Sequence, residues 1–243
     1  SLLVGEDRQK LSKRHGSTSV KKYKDMHYLP SALMNYLCLL GWSHPEEKDI
    51  FDLDNLGETF TLDRFSKSPA LYDIKKLNYF NEQHLRMITD EEIESHFSKI
   101  IPAEHQYHLQ SSDWKISFVG LYKEKIQLFT EIVDFLPDLF SQSFEKNEAY
   151  HQAIAWETTK PLAEYLKSEL DKLDVDAYPT LELIDFWMTH LKKELKIKGK
   201  PLFMGIRIVL TGKSNGPDLK VLVTLTKAST LLQRCYSVLN QKL

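Results

Sequence analysis

The sequence has little cysteine: its 243 residues include only two, Cys38 and Cys235. Two cysteines cannot build a disulfide framework or supply a four-cysteine zinc site. Both lie in apolar patterns with helical spacing. We therefore expect buried free thiols, as in a protein of the reducing cytoplasm.

Long hydrophobic runs and a secretory leader are also missing. No apolar run approaches the roughly 20 residues that span a bilayer. The first residues lack the basic, apolar and cleavage regions of a signal peptide. The sequence predicts a cytoplasmic protein with no membrane segment. It does not begin with methionine, so we expect a piece of a longer chain, with room for about two or three domains.

The net charge of −2 by itself argues against a nucleic-acid binder, but its distribution argues the other way. Residues 1–24 carry a net charge of +5 and residues 192–227 carry +7, whereas residues 25–191 carry −16. A phosphate backbone is attracted by local charge, within a Debye length of about 8–10 Å. Charge alone leaves open whether these tracts bind nucleic acid or are solvated helix faces.

The hydrophobic spacing is helical along most of the chain. Leu33, Tyr36, Leu37 and Leu40 recur at steps of three or four residues, which predicts one helix. Gly41 follows at the position of a left-handed cap, so we expect the helix to end there.

Two further apolar stripes predict more helices. One covers residues 181–198 and meets a stop signal at Gly199, and the other runs through residues 121–136 and ends at Pro137. The alternation of strands and helices in a Rossmann sheet is missing. We predict a mainly α fold in three sections: residues 1–70, 71–142 and 143–243.

Two features suggest chemistry without supplying it. The segment from Gly205 to Ser214 looks like a phosphate loop, but the position that needs the first glycine holds Arg207. Its apolar residues 206–210 fit a buried helix or strand equally well. His105 and His108 have no partners at a recognisable metal spacing, so we predict surface or helix-end histidines and no metal site.

The basic segment near the start of the chain is more informative. Lys10, Lys13 and Arg14 are close together, and Gly16 permits a mobile backbone. Several cations on a flexible loop suit a polyphosphate whose charge is redistributed during a reaction. Without further information, a solvated charge run remains an open alternative.

The segment Gly-Glu-Asp-Arg-Gln-Lys-Leu-Ser-Lys-Arg-His-Gly, residues 5–16, resembles the Lys-Met-Ser-Lys-Ser signature of class I aminoacyl-tRNA synthetases in its glutamyl form. The signature loop comprises Lys10, Leu11, Ser12, Lys13 and Arg14. Later segments of the same family are resembled, in the same order, by residues 28–43, 60–70, 76–81, 199–212 and 216–219. The chain thereby resembles the carboxyl-terminal portion of a bacterial-type glutamyl-tRNA synthetase.

The resemblance implies the reaction of a longer parent enzyme. That enzyme uses ATP and Mg²⁺ to form glutamyl-adenylate and passes glutamate to tRNA(Glu). By resemblance, Lys13 holds the ATP phosphates as pyrophosphate departs, and Lys10 supports the same loop. The other class I signature, His-Ile-Gly-His, is absent from this sequence. We therefore expect no Rossmann catalytic domain, no bound cofactor and no aminoacylation by this fragment.

The resemblance also implies recognition of tRNA. It assigns a stem-contact region to residues 1–70, followed by an all-helical anticodon-binding part in a monomeric protein. Our candidate tRNA-binding residues are Arg64, Lys67, Lys200, Arg207 and Lys213. Arg207 is either exposed or structural, and the sequence does not decide between them. Unpaired bases stack on aromatic rings, for which the candidates are Tyr107, Trp114 and Tyr122, although core packing is the favoured role for each.

Two alternatives accompany this interpretation. Composition alone permits a helical protein-interaction scaffold, which would show no salt-sensitive, tRNA-selective binding. A glutaminyl-tRNA synthetase relative is the other alternative. It is disfavoured because that family has a different signature loop and β-barrel anticodon domains, whereas this sequence has helical spacing in its carboxyl-terminal half.

Overall fold

The computed structural model describes residues 2–11, 19–51, 53–54 and 56–240. Contacts within the chain divide it into two compact units. The amino-terminal unit comprises Ser1–Ala103 and Lys123–Val133, and the carboxyl-terminal unit comprises Glu104–Tyr122 and Asp134–Leu243. The three sections inferred from the sequence remain a prediction about functional parts.

Five α-helices and one small sheet are described in the amino-terminal unit. Its regular elements in chain order are β1 (Leu3–Val4), α1 (Val20–Asp25), α2 (Pro30–Leu39), α3 (Leu56–Thr59), β2 (Ala70–Leu71), α4 (Ile74–Met87) and α5 (Asp90–Ile100). Strands β1 and β2 are parallel, with Leu3 opposite Ala70 and Val4 opposite Leu71. No other sheet occurs in the described part of the chain.

Local sequence explains where these helices begin. Pro30 opens α2, where its fixed φ is favourable and its missing amide costs no hydrogen bond. The Asp73 carboxylate accepts a hydrogen bond from the Lys75 amide, 2.8 Å away, at the start of α4. At the start of α5, Thr89 and Glu92 form a capping box.

Eight α-helices are described in the carboxyl-terminal unit. They are α6 (Ser112–Tyr122), α7 (Leu136–Phe140), α8 (Glu148–Ile154), α9 (Thr159–Leu170), α10 (Leu181–Lys193), α11 (Lys200–Thr211), α12 (Leu219–Thr224) and α13 (Ala228–Leu239). Helices α8 to α11 and α13 share one apolar core, which includes the buried side chains of Trp187, Leu166 and Leu231. The prediction of a mainly α fold is confirmed. None of the described helices is long and apolar enough to cross a membrane.

Two predicted helix ends are wrong. Helix α2 stops at Leu39, and Gly41 does not adopt a positive φ. Helix α10 stops at Lys193 rather than at Gly199. It stops because Lys196 takes a left-handed φ of 53° and the Ile197 amide bonds back to the Leu191 carbonyl, 3.0 Å away. That reversal buries Ile197, and Gly199 then precedes the next helix.

The stripe over residues 121–136 is not one helix. Helix α6 ends at Tyr122, two 3-10 segments follow at Lys123–Lys125 and Phe129–Phe135, and Pro137 lies in the first turn of α7. Residues 206–210, for which helix and strand were both possible, are helical. Cys235 is a buried free thiol as expected, whereas Cys38 is partly exposed.

Candidate nucleic-acid interface

The carboxyl-terminal unit contains an open cleft of about 420 Å³ in which the basic tract 192–227 supplies most of the surface. We call it the basic cleft. Its lining residues are Met188, Lys200, Phe203, Met204, Arg207, Ser214, Asp218, Leu219 and Lys220. Apolar side chains therefore lie beside three cations and a single carboxylate in one concave surface, a combination that suits a flat, partly apolar ligand carrying negative charge.

Helix α11 presents an aromatic ring to this cleft. Gly199, with φ of 60°, turns the chain, and Pro201 begins the helix. Leu202 and Ile206 are buried on one face of the helix, whereas Phe203 on another face is 59% exposed. An exposed phenylalanine in a concave basic surface provides a stacking platform for a planar group.

Arg207 has a structural bond and also lines the cleft. Its Nη2 donates to the Pro217 carbonyl, 2.8 Å away, and the residue is partly buried. Burial lowers the pKa of Arg207, which the nearby carboxylate of Asp218 opposes. The side chain is therefore both partly exposed and structurally bonded, and the two alternatives left by the sequence hold together.

The other predicted cations of this unit have different environments. Lys200 is exposed, and its ammonium lies 5.9 Å from the centre of the Trp156 ring. Lys213 does not line the basic cleft and instead forms an ion pair with Asp138. Lys220, which the sequence analysis missed, lines the cleft and pairs with the exposed Asp185.

The two candidates in the amino-terminal unit lie close together in sequence but differ in setting. Arg64 is partly buried and donates to the His44 carbonyl, 3.3 Å away. It lines a cavity of about 570 Å³ together with Asp63 and Lys76. Lys67 is exposed and is not among the residues that line this cavity.

The start of the signature loop follows a tight turn. Lys10 bridges to Val4, and the Leu11 amide donates to the Leu3 carbonyl, 2.9 Å away, so the chain folds back on β1. Ser12, Lys13 and Arg14 lie outside the described residues. Within the described ranges, no group of three or more His, Cys, Asp or Glu could hold a metal ion.

The three aromatic residues considered as base platforms belong to the core. Tyr107 and Tyr122 are fully buried, and Trp114 is 7% exposed. The Trp114 indole donates to the Leu225 carbonyl, 3.0 Å away. His105 accepts a hydrogen bond from the Tyr107 amide at the start of a 3-10 turn, which agrees with a helix-end histidine. Phe203, rather than any of these rings, is available for stacking.

A family model described as an anticodon binding domain matches residues 75–235, more than half of the chain. The chain belongs to this family. A second model, described as the catalytic domain of class I tRNA synthetases (E and Q), matches residues 1–79. The resemblance to class I aminoacyl-tRNA synthetases is therefore confirmed, and the basic cleft lies within the matched anticodon-binding domain.

Relatives with similar sequences are glutamate–tRNA ligases, which agrees with the glutamyl form of the signature. The chain is 36% identical to glutamate–tRNA ligase 1 of Caldicellulosiruptor saccharolyticus, covering 96% of this chain and 49% of the relative. It is 40% identical to glutamate–tRNA ligase of Heliobacterium modesticaldum, covering 92% and 46% respectively. The chain thus spans about half the length of these relatives.

A solved structure is also similar. The crystal structure of a glutamate tRNA ligase from Elizabethkingia meningosepticum, in complex with its amino acid, superimposes with a TM-score of 0.81 at 24% identity. The superposition covers 99% of this chain and 50% of the Elizabethkingia chain. The two chains therefore have the same fold over this region. The β-barrels expected of a glutaminyl relative are not found among the described residues of this anticodon-binding domain.

One sequence signal would have found the stacking platform. In the domain's helix α11, Leu202, Ile206 and Val209 follow the four- and three-residue steps of a buried stripe. Phe203 lies next to that stripe rather than on it, inside a basic tract. An aromatic residue off the apolar stripe is expected to face solvent, and its place inside a basic tract marks it as a candidate contact.

Proposed function

We propose that this anticodon-binding domain binds tRNA and that an unpaired base stacks on Phe203 in the basic cleft. The observation that carries the proposal is the 59% exposure of Phe203 in a concave surface lined by cations. Stacking of a base on an aromatic side chain contributes about 1–3 kcal/mol and requires no particular base.

The other lining residues suit the rest of a nucleotide. Met188, Met204 and Leu219 offer apolar surface to the base. Ser214 and Asp218 have side-chain oxygens that can accept hydrogen bonds from the edge of a base. Sequence preference would come from these polar groups, because the aromatic ring itself does not distinguish bases.

Lysines at the cleft suit the phosphates. Lys200 and Lys220 are both lining residues with flexible side chains. Each phosphate contact releases counterions, so affinity should fall as salt increases, with a slope of about 0.7 per contact for a single strand. Arg64 and Lys67 in the amino-terminal unit are proposed contacts to the stem of the same tRNA.

The proposal extends to the whole synthetase. We infer that the longer enzyme attaches glutamate to tRNA(Glu) in the cytoplasm, using ATP and Mg²⁺, and that the chain is monomeric. Lys13 and Lys10 would stabilise the phosphate charge of ATP as pyrophosphate leaves. The chain alone, which lacks the His-Ile-Gly-His signature, should transfer no glutamate to tRNA. Formation of glutamyl-tRNA by the purified chain would contradict this part.

Filter binding with Phe203→Ala tests the stacking role. We expect this variant to bind tRNA(Glu) about 5- to 150-fold more weakly, which corresponds to the loss of about 1–3 kcal/mol. The matched control is Phe186→Ala, because Phe186 is 56% exposed in the same unit but does not line the cleft. Equal effects of the two substitutions would refute base stacking on Phe203.

Salt dependence and competition test the RNA-binding function as a whole. Binding should weaken as salt increases, and unlabelled tRNA(Glu) should compete better than double-stranded DNA of equal length. A protein-interaction scaffold would show neither property. Comparison of tRNA(Glu) with tRNA(Gln) in the same assay decides whether the cleft accepts both.

A further inference from the structure

The Asp138 side chain lies at the centre of a polar cluster outside the basic cleft. Its carboxylate is only 9% exposed, and it accepts hydrogen bonds from the Lys213 ammonium and the Tyr122 hydroxyl. Burial, with the negative charge of Asp138 as the next cause, raises the pKa of Tyr122. A nearly buried carboxylate with two donors is well placed to hold another segment in a fixed position.

Arg234 joins the same cluster from α13. Its guanidinium donates to the carbonyls of Asp138, Ser141 and Leu210, at 2.9, 2.6 and 2.8 Å. These carbonyls lie at the ends of α7 and α11, where helices leave carbonyls unpaired and favour positive charge. The two helix ends are thereby fixed to one another inside the carboxyl-terminal unit.

The loop that follows α11 is held at both ends. Gly212, with φ of 71°, reverses the chain, and the next residue, Lys213, reaches Asp138. At the far end, Arg207 donates to the Pro217 carbonyl. Between and beside these attachments, the loop and its junction with α12 supply the Ser214 and Asp218 surfaces of the basic cleft. The ion pair between Lys213 and Asp138 therefore adds a side-chain attachment at this end of the cleft wall, where the Lys213 backbone is also bonded to the Thr211 hydroxyl.

We propose that Asp138 is a positioning residue for RNA binding, and that Lys213 acts as its anchor rather than as a direct phosphate contact. Through Lys213 it fixes the residue 212–218 loop, which forms one wall of the basic cleft. This inference rests on the proposed tRNA-binding function. It changes the role that the sequence assigned to Lys213.

The two possible roles of Lys213 predict opposite effects of neutralising Asp138. If Lys213 contacts a phosphate directly, Asp138→Asn removes a competing negative charge and tightens binding. If the pair positions the loop, Asp138→Asn releases the cleft wall and weakens binding. The sign of the change therefore distinguishes the two roles, whatever its size.

The experiment measures tRNA(Glu) binding by the 243-residue chain with Asp138→Asn, Lys213→Met and the double substitution, at several salt concentrations. We expect each single variant to bind about 3- to 30-fold more weakly and the double variant to be no weaker than the weaker single variant. The slope of log affinity against log salt should not change. Tighter binding by Asp138→Asn, or a slope reduced by about 0.7 or more in Lys213→Met, would overturn the proposal.

The chain supplies a matched control pair. Lys220 and Asp185 also form an ion pair in this unit, but both side chains are well exposed and Lys220 lines the cleft. Lys220→Met should reduce the salt slope, and Asp185→Asn should leave binding unchanged or tighten it. If the two pairs gave the same pattern, Asp138 would have no special positioning role.

Amide hydrogen exchange in the free protein guards against unfolding as the cause. Faster exchange in residues 212–218 of Asp138→Asn, with α9 and α13 unchanged, supports local release of the loop. Faster exchange throughout the unit would overturn the positioning role, because a general loss of structure would then explain weaker binding. Failure of the unsubstituted chain to bind tRNA would instead contradict the proposed function itself, which separates the two failures.

Discussion

Both units use a buried polar side chain to form hydrogen bonds with buried backbone groups, but the side chain differs between them. In the amino-terminal unit, Asn35 is fully buried and accepts from the Phe51 amide while donating to the Asp49 carbonyl. In the carboxyl-terminal unit, Arg234 is fully buried and donates only to carbonyls. Both side chains satisfy backbone groups that would otherwise be unpaired away from water.

The difference follows from what each unit must hold in place. An irregular segment such as residues 40–51 exposes both amides and carbonyls, so a neutral amide side chain, which donates and accepts, fits it. The ends of two helices expose carbonyls alone and carry partial negative charge, so a guanidinium fits them. A buried charge is therefore tolerated where helix ends meet, and amides serve where the chain is irregular.

The largest expected effect is that of Arg234→Met. This substitution leaves the carbonyls of Asp138, Ser141 and Leu210 without their donor, and should lower the free energy of unfolding of its unit by about 3–5 kcal/mol. Urea unfolding followed by tryptophan fluorescence measures it, since three of the four tryptophans lie in this unit.

Arg86→Met is the control for a surface arginine. Arg86 forms ion pairs with Glu82 and Glu124 in the amino-terminal unit, but its side chain is 34% exposed. Its loss should cost about 0–1 kcal/mol. Similar costs for Arg86 and Arg234 would show that burial of the guanidinium does not matter.

In the amino-terminal unit, Asn81→Ala is the substitution that corresponds to Arg234→Met, because it removes a buried side chain that is bonded to the backbone. The side-chain oxygen Oδ1 of Asn81 accepts a hydrogen bond from the Leu29 backbone amide, 2.8 Å away. Its side-chain nitrogen Nδ2 donates to the Gln127 backbone carbonyl. Loss of both bonds should destabilise the unit by about 2–4 kcal/mol. Native-state hydrogen exchange of α2 and α4 measures the change. Gln83→Ala on the same helix, where the side chain is partly exposed, should cost far less; equal costs would show that burial of the amide is unimportant.

Backbone conformation gives a smaller effect. Gly212 has φ of 71°, and a Cβ there would lie 2.2 Å from the Phe144 ring, so Gly212→Ala should cost about 1–3 kcal/mol. The control, Gly120→Ala within α6, meets no atom within 4 Å and should stabilise the unit by about 0.5–1 kcal/mol. Thermal unfolding measures the midpoint temperature of both variants. A shift in the same direction for both would show that the positive φ of Gly212 does not determine the cost of its substitution.

The end of helix α2 shows why some local features were predictable from the sequence and others were not. Helical spacing correctly predicted the helix that contains Leu33, Tyr36 and Leu37, because a helix depends on local periodicity. The same reasoning placed a left-handed cap at Gly41, which has none. The next residue, Trp42, is buried, and its indole donates to the Thr61 carbonyl, 19 residues away in the sequence. Such a long-range bond leaves no local signal.

The candidate site was predictable to a similar degree. The basic tract supplies most of the surface of the cleft, and Lys200 and Arg207 line it. Sequence alone could not show that Lys213 pairs with Asp138, 75 residues away, or that Phe203 faces outward. Which cation is engaged and which is available depends on tertiary packing, and charge counting does not contain that information.

The smallest expected effect is a pH dependence in the amino-terminal unit. His96 stacks on Phe129 with ring centres 4.3 Å apart, and burial, with Lys99 and His27 acting in the same direction, lowers its pKa below the ordinary 6.5. Glu92 opposes this shift without reversing it. The folded state therefore binds fewer protons than the unfolded state as pH falls through this range, so acid should destabilise the unit.

His96→Phe should remove that dependence while retaining the stack on Phe129. Urea midpoints of the unit, followed by hydrogen exchange between pH 7.5 and about 5.5, should fall with acid in the unsubstituted chain and fall less in His96→Phe. His151→Phe, at an exposed position of the other unit, should leave the dependence in place. If the two variants gave the same pH profile, a group other than His96 would control the acid sensitivity of the amino-terminal unit.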